Sequence, residues 1–206
     1  MATAPAPVLE LVTLRITVSQ EEALAKQAAP INNTLRKAPG FQHITWGFQA
    51  EDPTVLHWLI RWESLAHHEA LIASPAYGPF VTLLTTFATP ALIHSTVTVP
   101  PAAVVEWITV TLTADADHGS HVARAGALKD ALHGVPGFKG IDSATVIENE
   151  RAIVSLVGWD SVQAHDDWRS SQTPELTEKL LAVYQGKDVA AVSMWHVVVK
   201  GEAGPA

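Results

Sequence analysis

An internal repeat is the feature of this 206-residue sequence that most limits what it can fold into. Three short motifs of the first half recur 97 positions later: Pro39-Gly40-Phe41 as Pro136-Gly137-Phe138, Trp62-Glu63-Ser64 as Trp159-Asp160-Ser161, and His68 as His165. Three matches at one spacing indicate a tandem duplication of a structural unit. The Pro100-Pro101 pair lies between the two copies and predicts an exposed linker at their joint.

The first copy alternates between strand and helix patterns. Residues 8–18 alternate apolar positions, as a strand does. A helical stripe follows at Leu24, Ala28, Ile31 and Leu35, interrupted by Pro30. Strands are predicted over 41–49 and 54–62, a second helical region from 63 to 87, and a last strand over 92–99. The order strand, helix, strand, strand, helix, strand is that of a ferredoxin-like unit.

Such a unit covers one face of its sheet with helices. The other face stays uncovered and must pack against another sheet or subunit. Both parities of the first strand are largely apolar, which indicates a sheet that is buried on both faces. We therefore predict an α+β fold in which two ferredoxin-like (βαββαβ) repeats pack sheet to sheet as an intrachain α/β barrel. The predicted divisions are a tail over 1–7, halves over 8–100 and 101–200, and a second tail over 201–206. A monomer is expected, because the second copy replaces a partner subunit.

Composition excludes several classes of function. The net charge is −8 and no cluster of Lys or Arg stands out, so a nucleic-acid partner is not expected. The sequence contains no cysteine, which excludes disulfides, thiolate metal sites and thiol nucleophiles. The most apolar window, 95–114, is broken by two prolines and a glutamate, so no membrane partner is expected either. The amino terminus lacks the pattern of a signal peptide, which favours a cytoplasmic protein.

The repeated motifs resemble those of the dimeric α/β-barrel family. That family includes antibiotic-biosynthesis monooxygenases, heme-degrading monooxygenases, stress-responsive barrels and a plant polyketide cyclase. The resemblance rests on the Pro39-Gly40-Phe41 turn, the strand ending at Trp62-Glu63-Ser64, His68, and Ser74-Pro75-Ala76-Tyr77 with Phe80. It implies a ligand cleft between the helix-covered face of the sheet and the second helical region.

The sequence lacks residues that two members of the family use for catalysis. Tyr77 stands where the polyketide cyclase has a catalytic histidine, and the other polar cleft positions of that enzyme fall on leucines: Leu11, Leu56 and Leu71. Trp168 can match a tryptophan of the heme degraders, but Glu178 stands ten residues later where those enzymes have a histidine. Neither predicted first strand contains the asparagine of that site, so heme degradation is disfavoured.

The cleft implied by the resemblance supplies the candidate site residues. Tyr77 and His68 are the candidate catalytic residues: a phenol can donate to an enolate oxygen or, if its pKa is depressed, accept a proton, and an imidazole can relay one. Solvent exposure of Tyr77 and a structural role for His68 are the alternatives. The candidate substrate-binding residues are Arg15, Trp58, Ile60, Trp62 and Phe80. Alternation places Arg15 on the helix-covered face, where it would hold an acidic group, unless it lies solvated at the strand end.

No metal or cofactor is predicted. Glu10, Glu106 and His57 are possible ligands, but they lack the close spacing of a metal motif. Their parity suggests polar pairing on the face away from the helices. No glycine-rich phosphate loop is present, so a nucleotide cofactor is not supported.

These observations favour a cofactor-independent enzyme that moves a proton at an activated carbon of a small apolar or aromatic metabolite. Cyclisation, elimination and oxygenation all fit that chemistry. The alternatives are a non-catalytic ligand-binding or stress-related barrel and a heme or metal protein. Where the first copy has Tyr77, the second reads Gln172-Thr173-Pro174-Glu175-Leu176-Thr177, which offers no phenol, and Trp168 and Arg169 bring bulk and charge able to fill that cleft. We therefore expect only the first cleft to be functional.

Overall fold

The computed structural model describes residues 6–206 and shows an α+β chain. Residues 1–5 of the predicted tail over 1–7 lie outside the described residues. The chain divides into two compact units. One runs to Thr96 and includes Val199–Ala206, and the other is Val97–Val198.

The first unit has the predicted βαββαβ order. Its elements are β1 (Val8–Ile16), α1 (Gln20–Asn33), a 3-10 turn (Leu35–Lys37), β2 (Phe41–Gln49), β3 (Val55–Trp62), α2 (Leu65–Ile72), α3 (Tyr77–Thr85) and β4 (Ala88–Ser95). The antiparallel sheet has the strand order β4-β1-β3-β2. Pro30 lies inside α1, as predicted, and the helix ends soon after it at Asn33.

The second unit repeats this arrangement. It contains β5 (Val104–Leu112), α4 (His118–Ala131), β6 (Phe138–Val146), β7 (Asn149–Trp159), α5 (Val162–Ser170), α6 (Pro174–Tyr184) and most of β8 (Val189–Ala203), whose last five residues belong to the first unit. β5 pairs with both β7 and β8, and β7 pairs with β6, so the strand order is β8-β5-β7-β6. The predicted class, α+β with two ferredoxin-like repeats, is confirmed. No helix within residues 6–206 is long and apolar enough to cross a membrane.

The repeated Pro-Gly-Phe motif is explained by backbone geometry. Gly40 and Gly137 have φ angles of 76° and 81°, in the left-handed region that favours glycine. A Cβ atom at Gly40 would overlap the His67 ring, and one at Gly137 would lie 2.6 Å from Ala164 Cβ. The Gly40 carbonyl accepts a hydrogen bond of 2.7 Å from the Glu63 N–H, which joins this turn to the end of β3.

The helix-covered face of the first sheet is formed by the even-numbered residues of β1 and β3. Val12 and Leu14 of β1 and Trp58 of β3 belong to one buried cluster with Leu35 and Leu84 from the helical layer. The predicted parity of β1 is therefore wrong. Glu10 lies on the helix-covered face, and Arg15 does not.

Residues 201–206, predicted as a tail, are packed within the first unit. Gly201 and Glu202 continue β8, and a Cβ atom at Gly201 would meet the Trp46 ring at 2.5 Å. The Arg36 guanidinium donates to the Gly204 carbonyl at 2.7 Å, and the Ala206 N–H donates to the Arg36 carbonyl at 3.1 Å.

Candidate functional site

Four buried polar side chains of the first unit form one connected cluster. We call Glu10, Trp62, His68 and His94 the first tetrad. The Trp62 indole N–H donates to Glu10 Oε2 at 2.8 Å, and His68 Nε2 lies 3.5 Å from the same oxygen. His68 Nδ1 lies 2.8 Å from His94 Nε2 in a hydrogen bond. The His68 ring also stacks on Trp62, with ring centroids 5.3 Å apart.

The second unit contains the same cluster with nearly the same distances. The second tetrad consists of Glu106, Trp159, His165 and His196. The Trp159 indole donates to Glu106 at 2.9 Å, His165 Nε2 lies 3.5 Å from Glu106, and His165 Nδ1 lies 2.7 Å from His196 Nε2. Because the strands and helices that hold the four side chains are duplicated, the fold builds this arrangement twice.

Burial sets the protonation of the first tetrad. It raises the pKa of Glu10 from 4.5 to about 7, and the hydrogen bond from Trp62 offsets only part of that effect. Burial, with a smaller contribution from His94, lowers the pKa of His68 to about 4. At neutral pH the imidazole of His68 is therefore neutral, while Glu10 is present in both its protonated and its ionised form. A carboxylate with a pKa near 7 is suited to general-base chemistry.

An apolar cavity of about 120 Å³ opens onto the first tetrad. Its walls include Val12, Trp58, Ile60, Leu71 and Phe80, with Glu10, His68 and Tyr77 as polar groups. The Tyr77 ring packs against Phe80 with centroids 5.9 Å apart. Burial and the nearby Glu10 raise the pKa of Tyr77, so its hydroxyl stays protonated at neutral pH. The idea that Tyr77 has a depressed pKa and acts as a base is therefore wrong, and only its capacity to donate remains.

The second tetrad faces a larger cavity of about 560 Å³. Trp168 and Arg169 line this cavity, together with the phenol-bearing Tyr184. The expectation that Trp168 and Arg169 fill the second cleft is wrong, and so is the expectation that this cleft lacks a phenol. Helix α6 ends at Tyr184, ten residues after Pro174, a placement that aligning the prolines of the two copies did not reveal.

Most of the predicted site residues of the first copy come together. Tyr77, His68, Trp58, Ile60 and Phe80 all line the first cavity. Two predicted binding residues have other positions. Trp62 is fully buried behind the cavity, where it holds Glu10. Arg15 lies near the end of β1 with 67% of its side chain exposed and pairs with Asp52 at 3.3 Å, so its predicted place on the helix-covered face is wrong.

Glu10 and His94 are the site residues that sequence reasoning did not assign to the cleft. Both have a partner in the repeat, since Glu10 aligns with Glu106 and His94 with His196. A polar residue that recurs at a buried strand position was the signal that could have identified them. Glu10 was instead predicted on the opposite face beside His57, which in the structure hydrogen-bonds Thr13 and Gln49.

Each tetrad also contains donor atoms that are able to bind a metal ion. The donor atoms of Glu10, His68 and His94 lie within 4.8 Å of one another, and those of Glu106, His165 and His196 do so too. In both clusters, however, the middle histidine turns one ring nitrogen toward the carboxylate and the other toward the second histidine. This linear arrangement fits a hydrogen-bonded relay better than ligands that converge on one ion.

Comparisons with known proteins match one family to the first repeat. The sequence model of the antibiotic biosynthesis monooxygenase family matches residues 7–83. No curated protein matches the chain in sequence.

Several solved structures share the fold over both repeats. An anthrone oxidase-like protein superposes with a TM-score of 0.72 at 15% identity, covering 96% of this chain and 93% of that chain. A proposed monooxygenase from Fusobacterium nucleatum has a TM-score of 0.70 at 11% identity, covering 98% of this chain and 96% of its own. Another, from Lactobacillus acidophilus, has a TM-score of 0.68 at 16% identity, with coverages of 97% and 96%. At such identities the similarity concerns the fold alone.

Proposed function

We propose that this chain, whose first repeat matches the antibiotic biosynthesis monooxygenase family, is a cofactor-independent monooxygenase acting on a small apolar or aromatic substrate. One observation supports this most directly: a buried carboxylate with a raised pKa, Glu10, lies at the wall of an apolar cavity. In this proposal the reaction begins when Glu10 removes a proton from an activated carbon.

The substrate chemistry and the surroundings of Glu10 together explain how a carboxylate could remove a proton from carbon. A C–H bond between a carbonyl and an aromatic ring is acidic because the resulting charge spreads into both groups. Ionised Glu10 is a stronger base than an exposed carboxylate, since burial raises its pKa to about 7. The apolar walls formed by Trp58, Ile60 and Phe80 suit a flat substrate and limit the access of water.

Oxygenation then needs only molecular oxygen as co-reactant. The carbanion transfers its electrons to O2, and protonation gives a hydroperoxide at the same carbon. Removal of the second proton from that carbon breaks the O–O bond, so that a CH2 group and O2 become a C=O group and water. Substrate carbon supplies every electron, and one oxygen atom enters the product.

Two further residues have roles in this scheme. The protonated hydroxyl of Tyr77 donates to the enolate oxygen that forms as Glu10 takes the proton. His68 stays neutral and holds the carboxylate on one side while it contacts His94 on the other. It is therefore a positioning residue that can also pass a proton between Glu10 and His94.

The test uses 2-indanone, whose CH2 groups lie between a benzene ring and a carbonyl. Deuterium uptake at that carbon, followed by NMR in D2O, reports proton removal, and oxygen consumption reports oxygenation. We expect Glu10→Gln to lower both rates by roughly 10²–10⁴-fold, the usual contribution of a positioned general base. The wild-type rate should rise with pH to about 7 and then level off, because only ionised Glu10 is active.

Two matched variants complete this experiment. Tyr77→Phe should slow both reactions while leaving the pH profile in place, because it removes the donor and not the base. Glu106→Gln makes the same change in the second tetrad and should leave the 2-indanone rates unaltered. Wild-type rates in Glu10→Gln would overturn the proposal. Binding of 2-indanone without deuterium uptake or oxygen consumption would instead favour the non-catalytic ligand-binding alternative.

A further inference from the structure

We propose that the cavity of the second repeat is a binding site for planar aromatic acids. This site goes beyond the proposed function, which rests on the first cavity, and it lies outside the residues matched by the family. The second cavity is lined entirely by residues between Glu106 and Met194, so the second unit builds it alone.

The walls of the second cavity leave a large apolar surface uncovered. Val192 and Met194 of β8 and Leu181 of α6 line it, with exposures of 39%, 39% and 46%. Large aliphatic side chains this exposed and this close together typically mark a ligand or partner surface. A cavity of about 560 Å³ is within the range of small-molecule sites.

Aromatic rings form the inner part of the same cavity. Trp168 packs on Trp159 with ring centroids 5.4 Å apart and on His165 at 5.6 Å. The Trp168 indole N–H is buried and has no hydrogen-bond partner within residues 6–206. A buried donor without a partner is costly, and a ligand that stacks on this wall and offers an oxygen could satisfy it after a small rotation of the ring.

One cation lies on this cavity and indicates an acidic ligand. Arg169 lines the cavity, is exposed, and forms no ion pair within the described part of the chain. The residue 97 positions earlier is Ile72, so the charge is specific to the second repeat. A guanidinium pairs with a carboxylate through two parallel hydrogen bonds, which makes it selective for planar acids.

The position of Glu106 fixes how such an acid must lie. Its carboxylate is buried beside Trp159 and His165 at the inner end of the cavity. The acidic group of the ligand must therefore be at Arg169, with the aromatic rings directed toward Trp168. A ligand of two fused rings with one carboxylate meets both requirements.

Isothermal titration calorimetry on the intact chain tests the site with 2-naphthoate and its uncharged analogue 2-naphthamide. We expect 2-naphthoate to bind more tightly than 2-naphthamide. Arg169→Ala should weaken 2-naphthoate binding by roughly tenfold or more, the usual value of a charge-assisted hydrogen bond, and leave 2-naphthamide unchanged. Arg169→Lys should restore part of the loss.

A pair of matched variants locates the binding. Met194→Glu places a negative charge on the apolar wall of the second cavity, and Leu92→Glu does so at the equivalent, equally exposed position of the first. Both change the net charge by the same amount. We expect only Met194→Glu to abolish 2-naphthoate binding, with thermal melts confirming that both variants fold.

Three results would overturn the proposal. The first is no measurable binding of 2-naphthoate to the wild-type chain. The second is equal affinity for the acid and the amide in both the wild type and Arg169→Ala. The third is an equal loss of binding in Leu92→Glu and Met194→Glu, which would place the acid elsewhere.

Discussion

The two repeats share their buried polar tetrad and differ in the cavity that the tetrad faces. In each, a tryptophan holds a glutamate while a histidine bridges to a second histidine. The first cavity measures about 120 Å³ and the second about 560 Å³. The duplicated strands and helices therefore fix the four polar side chains, whereas the surrounding side chains set the size of the space beside them.

The difference in size comes from a few wall positions. In the first repeat Leu71 and Phe80 are nearly fully buried and Tyr77 packs on Phe80, so side chains occupy much of the space beside the tetrad. In the second repeat Trp168 lies flat against His165, and the β8 wall at Met194 stays exposed. These wall positions accompany the larger open space beside the second tetrad.

The largest expected effects test whether the two tetrads are equivalent structural elements. Trp62→Ala and Trp159→Ala each remove a fully buried ring and should lower the free energy of unfolding by roughly 3–5 kcal/mol. Urea unfolding at constant pH measures both losses. Trp62→Phe, which keeps most of the ring and removes the indole donor to Glu10, should cost less. If Trp62→Ala unfolds like the wild type, this ring does not support the core.

The pH dependence of folding stability tests the raised pKa of Glu10 in the first tetrad. The folded state holds the Glu10 proton more tightly than the unfolded state, so the stability due to this proton is present below pH 4.5 and is lost as pH rises to about 7. As pH rises across this window, the free energy of unfolding of Glu10→Gln should therefore increase by roughly 3 kcal/mol relative to that of the wild type. Melting both proteins from pH 4.5 to 8 provides the measurement, and parallel curves would contradict the raised pKa.

The smallest expected effects concern the two glycine turns. Gly40→Ala and Gly137→Ala force an alanine into the left-handed region and bring its Cβ against His67 or Ala164. Each change should cost roughly 1–3 kcal/mol. Gly126→Ala is a suitable control, because a Cβ atom there meets nothing within 4 Å and alanine favours a helix. A neutral effect at either turn would show that the turn relaxes without cost.

Sequence could predict the fold because the repeat supplied independent evidence. The Pro-Gly-Phe turn and the Trp-acid-Ser strand end lie at the same positions of both units, and β2 has the predicted bounds, Phe41–Gln49. The prediction of the final strand of the first repeat was less accurate, since residues 92–99 were predicted and β4 is Ala88–Ser95. Pro90 lies within that strand and weakens the strand signal there.

The site was predicted in part, and the parity of β1 explains the error. Because the odd and even residues of β1 are both buried and mostly apolar, alternation does not tell which face meets the helices. Glu10 was consequently assigned to the wrong face, and Arg15 with it. The cavity volumes were also beyond prediction, since they depend on how the Trp168 and Tyr77 rings lie and not on their spacing in the sequence.

The contacts of residues 199–206 bear on the order in which this protein can fold during synthesis. Arg36 binds the carbonyls of Gly204 and Pro205, which follow it by 168 and 169 positions. The ribosome therefore makes the entire second repeat before it makes the segment that completes the first. During synthesis the first repeat therefore lacks its Arg36 contacts until the second repeat is complete. A chain cut after Val198 loses part of the first unit, which is the unit translated earliest.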